Sequence, residues 1–461
     1  MTVPVQAEQK ELKTPEERFD HYVELLTETV GHADRAEPLR AYTTGLMLPG
    51  ERKSVEPMAA RIDPRHVRSK HQSMHHFVAD APWSDEPVLA TAREVALPAL
   101  LDHGPIEAWL LDDTGIPKKG THSVGVARQY CGQLGKTDNC QVAVSLSIAT
   151  EFASLPIAYQ LYLPEEWAED RGRCSKAGVP EEVTFKTKPQ IALAQIRAAI
   201  TAGIPKGVVA ADAGYGNGAE FRAELRGMGF RYAVGVLSTT RVWAKGRGPL
   251  PPQEWSGNGR PPTRLRRAPE HQPVTAKEIA LENKARFRRV SWREGAKGKL
   301  SGRFLALRVR SAHRDYKLSE ARDEEWLLVE WPESEPEPTK YFLSTLPQNS
   351  SVRQLVRMVK LRWRIERDYE ELKQELGLTH YEGRGWRGFH HHATLTIASY
   401  AFLVAERGRF SPSGAGDGTS KRKAARVPRG FRPRGSPDPA RAACADVDRL
   451  DANTPNRGAG A

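Results

Sequence analysis

Among the short apolar runs of the chain, two that end on aspartate could do chemistry. In "WLLDDTGIPKKG" (109–120), Trp109, Leu110 and Leu111 lead into Asp112 and Asp113; in "GVVAADAGYGNG" (207–218) the run ends on Asp212. Neither run alternates, so both read as strands buried on two faces. A carboxylate at the exit of such a strand is costly unless it is paired, hydrogen-bonded or bound to a metal. Successive side chains of a strand point to opposite faces, so Asp112 and Asp113 cannot both serve one site. The plain alternative for "DDTG" is a turn in which aspartate caps its own backbone. Acids at the ends of neighbouring strands more naturally hold a divalent cation. Gly214, Gly216 and Gly218 allow close backbone approach, but their G-x-G-x-G spacing departs from the G-x-G-x-x-G of a dinucleotide site.

A third acid lies in "LRWRIERDYEELKQELGLTHYEGRGW" (361–386). At about 100° per residue, Arg362 and Lys373 fall within about 40° of Glu366 on one helix face. An ordinary surface helix laced with i,i+4 pairs would look similar. Trp363 and Ile365 among the charges argue for a packed helix. Two strand-end aspartates, a helix glutamate and flanking cations make the inventory for two-metal phosphodiester chemistry, with the cations on phosphates. No G-x-S-x-G or Cys/His signature offers a covalent nucleophile. The triple His390, His391 and His392 reads as a solvated helix start.

The elements that must position these acids follow from the rest of the chain. "TPEERFDHYVELLTETV" opens a helix, with Thr14 and Glu17 as a capping box and Pro15 in the first helical position. Short helices continue to about residue 103, and "RIDPRHVRSKHQSMHH" makes one of them basic. From about 106, strands come in succession ("IEAWLLDD", "CQVAVSLSIA", "LPIAYQLYL") and then alternate with helices, which predicts a mixed sheet with helices packed on it. Gly/Pro/Arg-rich turns and short strands over 237–338 break the order as a β-rich insertion. "KYFLSTLP" resumes the sheet, and a long helix is predicted from about 351 to 376. From 408 the chain is poor in large apolar residues, and an acid-free basic run spans Lys421 to Arg434.

The 461 residues carry a net charge of +12, which favours a polyanion partner, nucleic acid first. No run approaches a membrane span, and the polar N-terminus is no signal peptide. Cys131, Cys140, Cys174 and Cys444 show neither zinc spacing nor a disulfide framework, which fits a reducing cytoplasm.

The stretches "DDTGIPKKGTHSVGVARQYCGQLGKTDNCQVAVSLS", "ADAGYGN" and "RWRIERDYEELKQELGLTHYEGRGWRGFHHH" together resemble the DDE transposases of bacterial insertion sequences. The resemblance, over roughly residues 15–407, is to insertion-sequence family seven hundred and one, in the group marked by a Tyr, Arg, Glu, Lys motif. It implies an α/β fold: an RNase H-like mixed sheet flanked by helices, with a β-rich insertion, a helical N-terminal DNA-binding region and a disordered C-terminal tail. The implied division is 1–104 for the helical region, 105–236 and 339–407 for the two parts of the catalytic core, 237–338 for the insertion and 408–461 for the tail. Position by position it implies Asp113, Asp212 and Glu366 as catalytic, metal-binding acids. Asp113 is chosen over Asp112 because the family's acid stands directly before Thr, here Thr114; Asp112 is left to the turn. Arg362, Lys373, Lys118 and Lys119 are expected to contact DNA. The implied cofactors are two divalent metal ions, Mg2+ with Mn2+ as a substitute. The partners are double-stranded DNA (terminal inverted repeats and target) and further copies of the chain, in the cytoplasm at the nucleoid and away from membranes. The motif's Tyr falls at Val359, and the sequence after about 435 departs from the family's character. The expected function is binding of terminal inverted repeats with metal-dependent cleavage and strand transfer. A transposase-derived DNA-binding regulator without cleavage is the alternative.

Overall fold

The computed structural model describes residues 14–295 and 298–410. Among the described residues five helices come first: α1 Pro15–Thr29, α2 Ala36–Met47, α3 Val55–Ile62, α4 Val67–Ala79 and α5 Asp85–Leu101. As predicted, Thr14 accepts from the Glu17 amide, Glu17 accepts from the Thr14 amide, and Pro15 needs no donor partner. Next come β1 Ala108–Pro117, β2 Ala127–Cys131, β3 Lys136–Ala149 and β4 Ser154–Leu161, then α6 Glu165–Glu169, α7 Arg171–Lys176 and α8 Lys188–Thr201. The alternating part holds β5 Val208–Ala211, α9 Ala213–Gly216, α10 Ala219–Gly227 and β6 Tyr232–Val236.

The β-rich stretch contains β7 Arg241–Ala244, β8 Val274–Thr275, α11 Ala276–Glu282, β9 Arg288–Gly295, β10 Gly298–Ser311 and β11 Glu324–Trp331. It is followed by β12 Lys340–Ser344, α12 Val352–Lys360, α13 Trp363–Glu370, one π turn over Glu371–Glu375, and α14 Trp386–Phe410.

All twelve strands join one open mixed sheet, in the order β2-β3-β1-β5-β6-β12-β11-β10-β7-β8, with β4 beside β3 and β9 beside β10. β3 is long enough to carry β2 on one half of its outer edge and β4 on the other. β1 pairs antiparallel with β3 and parallel with β5, and β5 pairs parallel with β6. β12 pairs antiparallel with both β6 and β11, so the β-rich stretch extends the same sheet.

The first helices do not stand apart from the core. α14 is buried along most of its length, and α1, α2, α4 and α5 pack around it. Arg18 grips Glu406 through two hydrogen bonds of 2.6 and 2.7 Å, and the Tyr22 hydroxyl donates to the Ala398 carbonyl at 2.8 Å.

The expected solvated start for His390–His392 is overturned, since all three are buried in this layer. His390 Nδ1 meets the Trp386 carbonyl while Nε2 accepts from the Leu161 amide, which fixes a neutral ring. His391 lies between the Val78 and Trp83 carbonyls, and His392 between the Tyr42 hydroxyl and the Gly377 carbonyl. A polar composition misleads here because the backbone supplies the partners that burial demands. The predicted tail from 408 begins inside α14; its basic run lies outside the described residues.

Candidate active site

The register of β1 decides how its two acids point. Strand pairing with β3 continues past both aspartates to Pro117, so "DDTG" forms no turn. Leu110 of β1 stands level with Ala210 of β5 in a parallel pair. Two residues on, Asp112 comes level with Asp212, and in parallel neighbours level side chains share a face.

That face is covered by α13. Arg362, at the entry to α13, pairs with Asp112 at 3.1 Å. Ser145 of β3, directly opposite Asp112, shares a 2.5 Å hydrogen bond with the Tyr369 hydroxyl from the same helix. Asp113 points the other way, where Lys188 at the start of α8 pairs with it. The structure therefore separates the two expectations. Asp113 lies on the α8 face with Lys188, and Asp112 lies level with Asp212.

Asp212 is held by its own loop. It caps α9, its Oδ1 accepting from the Gly214 amide at 2.9 Å and the Tyr215 amide at 3.4 Å. Close approach at the glycines serves the protein itself. A Cβ on Gly216 would lie 2.2 Å from the Gly235 carbonyl oxygen, so α9 rests directly on β6. That accounts for Gly216 without a nucleotide.

The predicted single helix over 351–376 is instead α12, a break at Leu361–Arg362, α13 and the π turn. The break puts Arg362 at a helix start, with its side chain across Asp112. The π turn, one extra residue in the spiral, changes the facing of Lys373 from the regular 100° count. Lys373 Nζ lies 3.4 Å from the Gly115 carbonyl of β1, and burial lowers its pKa. Glu366, one turn after Arg362, is exposed; Glu370 is exposed as well. Lys118 donates to the Tyr381 carbonyl at 3.0 Å and is desolvated, so its first task is to hold the 381 loop; Lys119 is exposed. Val359 is buried with Ala233, Phe304, Leu328 and Phe342, a core position.

Burial pushes the Asp112 carboxyl up to about 7, with Arg362 opposing and Asp113 and Asp212 adding to the rise. Crowded, partly buried carboxylate oxygens are the hard donors a divalent cation takes. Asp112 and Asp212 could share one; Glu366, exposed on α13, is sensed by Lys360. Among the described residues, no three carboxylate, imidazole or thiol groups are gathered closely enough to hold an ion. Strand alternation in the sequence shows that Asp112 and Asp113 face apart, but not the β5 register that brings Asp112 level with Asp212.

Cations flank the helix on its outer side. Arg293 of β9 stacks 3.7 Å over the Trp363 ring, and Arg364 lies 5.1 Å from the same ring. Arg293 and Arg367 sense each other's charge. Such a run of cations and aromatic rings suits a polyanion.

Residues 25–299 match the family described as DDE superfamily endonuclease, a span that contains Asp112, Asp113 and Asp212 and stops short of Glu366. The chain is also similar to the "Probable transposase for insertion sequence element IS701" of Microchaete diplosiphon, 31% identical over 172 residues. That alignment covers 37% of this chain and 42% of the relative's own length. On the family match over most of its described length, with two strand-end acids side by side within it, the chain belongs to the DDE superfamily endonucleases.

Proposed function

We propose that the chain is a DNA transposase of an insertion sequence, which binds the element's ends and carries out metal-dependent cleavage and strand transfer. The observation that carries this reading is Asp112 level with Asp212 under a helix that bears Arg362 and Glu366. The strand order β4-β3-β1-β5-β6, antiparallel through β1 and parallel after it, supports an RNase H-like core with acids on its first and fourth strands. The relative's printed name, a probable transposase, points the same way. No helix among the described residues is long and apolar enough to cross a membrane.

In this reading Asp112, Asp212 and Glu366 would hold divalent metal ions, Mg2+ by preference, and the metal would supply activation of the attacking oxygen and stabilisation of the leaving one. The chain's own residues set the stage. The β1–β5 pairing fixes the spacing of the two aspartates, and the α9 cap orients Asp212. Arg362 balances Asp112 from above. Tyr369 locks α13 to β3 through Ser145. Arg293 would meet phosphates along the helix, while Arg364 is held by the Glu151 and Phe152 carbonyls and Arg367 by Glu371. Asp113 is proposed as a positioning residue that anchors α8 through Lys188.

The test is cleavage of a DNA duplex bearing the element's ends, with Mg2+ and with EDTA. Metal-dependent nicking at the ends supports the reading. Tight, salt-sensitive binding without nicking by the intact protein would sink it in favour of a DNA-binding regulator.

A further inference from the structure

We propose that a cleft of about 340 Å³ beside the Asp212 loop, lined by Arg222, Arg241, Arg267, Arg314 and His313, binds a backbone phosphate of the DNA. The proposal rests on the reading of the chain as a DNA-processing enzyme. The remaining lining is Asn217, Thr239, Thr240, Ala312 and Tyr316, so the wall offers hydroxyls and an amide but no carboxylate.

The charges do not cancel. Arg267 is matched by buried Asp315 through two hydrogen bonds of 2.9 and 2.5 Å. Arg222 has no such match, although it is only 4% exposed. Its Nη1 donates to the Gly216 carbonyl and its Nη2 to Ser311 Oγ at 3.2 Å, both neutral groups. A guanidinium removed from water without an acid leaves a charge that an anion would satisfy. Arg241 donates only to the Pro273 carbonyl, at 3.1 Å. The acids that sense the cleft, Glu220 near His313 and Glu278 near Arg241, stand outside its lining. Burial lowers His313, and Arg314, Arg322 and Arg222 lower it further, the mark of an electropositive pocket.

Backbone strain points to the same place. Arg314 has φ +48°, the single non-glycine residue with positive φ among the described residues. Glycine takes that conformation freely and L side chains rarely do. Its side chain is exposed at the cleft. A charge is kept there against the preference of the backbone, as happens where a side chain serves a ligand.

The cleft also has a route to the acids. Asn217 lies five residues past Asp212 on the α9 path, about 7 Å of helical rise. Its Oδ1 accepts from Thr240 Oγ1 at 3.2 Å and from the Leu237 amide at 3.5 Å. β5 and β6 are parallel, so the Asp212 loop and the 237–240 loop leave the same edge of the sheet. A phosphate seated here would hold the strand a short step from Asp112 and Asp212.

The experiment uses the full chain and a fluorescent duplex titrated across salt, with Arg314→Gly, Arg241→Ala and the double variant. Arg314→Gly suits the backbone, so lost binding with an unchanged or raised Tm cannot be misfolding. Each single variant should weaken duplex binding several-fold and flatten the log–log salt slope by about 1, and the double variant by about 2. Inorganic pyrophosphate should raise the wild-type Tm more than that of the double variant. Unchanged affinity and slope in both single variants, with wild-type duplex binding intact, overturn the cleft and leave the functional reading standing. Pyrophosphate protection lost in the double variant while duplex binding stays equal assigns the cleft to a free phosphate compound and overturns the DNA proposal. A wild type that binds no duplex at any salt overturns the functional reading and the proposal with it.

Discussion

Arg362 reaches from the start of α13 to Asp112, 3.1 Å away, with their side chains 20% and 16% exposed. A carboxylate so placed, with Asp212 level beside it, needs a counter-charge, and Arg362 is the one the fold supplies. Removing the cation alone should cost about 2–3 kcal/mol, because it leaves the acid buried and unmatched. Removing both charges should cost less than the sum. Denaturant unfolding of Arg362→Ala, Asp112→Asn and the double variant checks this. A coupling below about 0.5 kcal/mol would mean that the pair contributes nothing as a pair.

The acids themselves give a second prediction. Asn and Gln keep the shape of Asp and Glu while removing the anionic ligand. Asp112→Asn, Asp212→Asn and Glu366→Gln should each reduce Mg2+-dependent cleavage at least a hundredfold, with duplex binding within about threefold of wild type. Asp113→Asn should keep cleavage within about tenfold. Its loss is the ion pair to Lys188, a partly exposed contact worth about 1 kcal/mol or less. An active Asp112→Asn beside a dead Asp113→Asn would reverse the assignment drawn from the strand register.

Much of this was legible in the sequence, because it depended on local rules. The capping box at Thr14, the unalternating strands ahead of the aspartates and the packed character of "RWRIE" each declared themselves. What stayed hidden depended on partners far away in the chain. The alternation of a strand shows that Asp112 and Asp113 face apart, but only pairing with β5, about a hundred residues on, says which one faces Asp212. The break at Leu361–Arg362 and the π turn after Glu370 are helix irregularities in a segment that packs on β1 and β4. The histidines at 390–392 looked solvated because their partners are carbonyl, amide and hydroxyl groups that no side-chain pattern reveals.

His390 makes acid sensitivity a test of that burial. Burial lowers its pKa from the ordinary 6.5 to about 4, and the Trp386 carbonyl opposes the shift. The unfolded chain therefore binds the proton first as pH falls. The stability contributed by the neutral ring is fully present above about 6.5 and is lost as pH falls towards 4, by up to about 3 kcal/mol. Asp85 and Asp368, raised by burial to about 7 and about 6, act in the opposite direction. The clean measurement is thus a difference. Urea unfolding between pH 4 and 7 should show a shallower acid loss for His390→Gln than for wild type. Parallel pH profiles would mean that His390 is protonated in the folded protein.

The placement of Asp212 depends on a glycine that bears no chemistry. α9 begins at Asp212 and lies against β6, where a Cβ on Gly216 would meet the Gly235 carbonyl oxygen at 2.2 Å and Val234 Cβ at 2.6 Å. Both neighbours belong to a paired strand and cannot swing aside, so Gly216→Ala must lift α9 from the sheet. Overpacking of this kind costs about 1–3 kcal/mol. The shift falls on the loop whose amides hold the Asp212 carboxylate, and sub-ångström misplacement at such a site is expensive. Cleavage by Gly216→Ala should therefore drop at least tenfold in protein that is still folded and still binds duplex. Gly218→Ala is the matched control: its nearest contacts, the Tyr215 carbonyl oxygen at 3.4 Å and Phe221 Cβ at 3.5 Å, are ordinary van der Waals distances. It should cut as wild type does. Equal activity in the two variants would show that the fit of α9 on β6 does not set the position of Asp212.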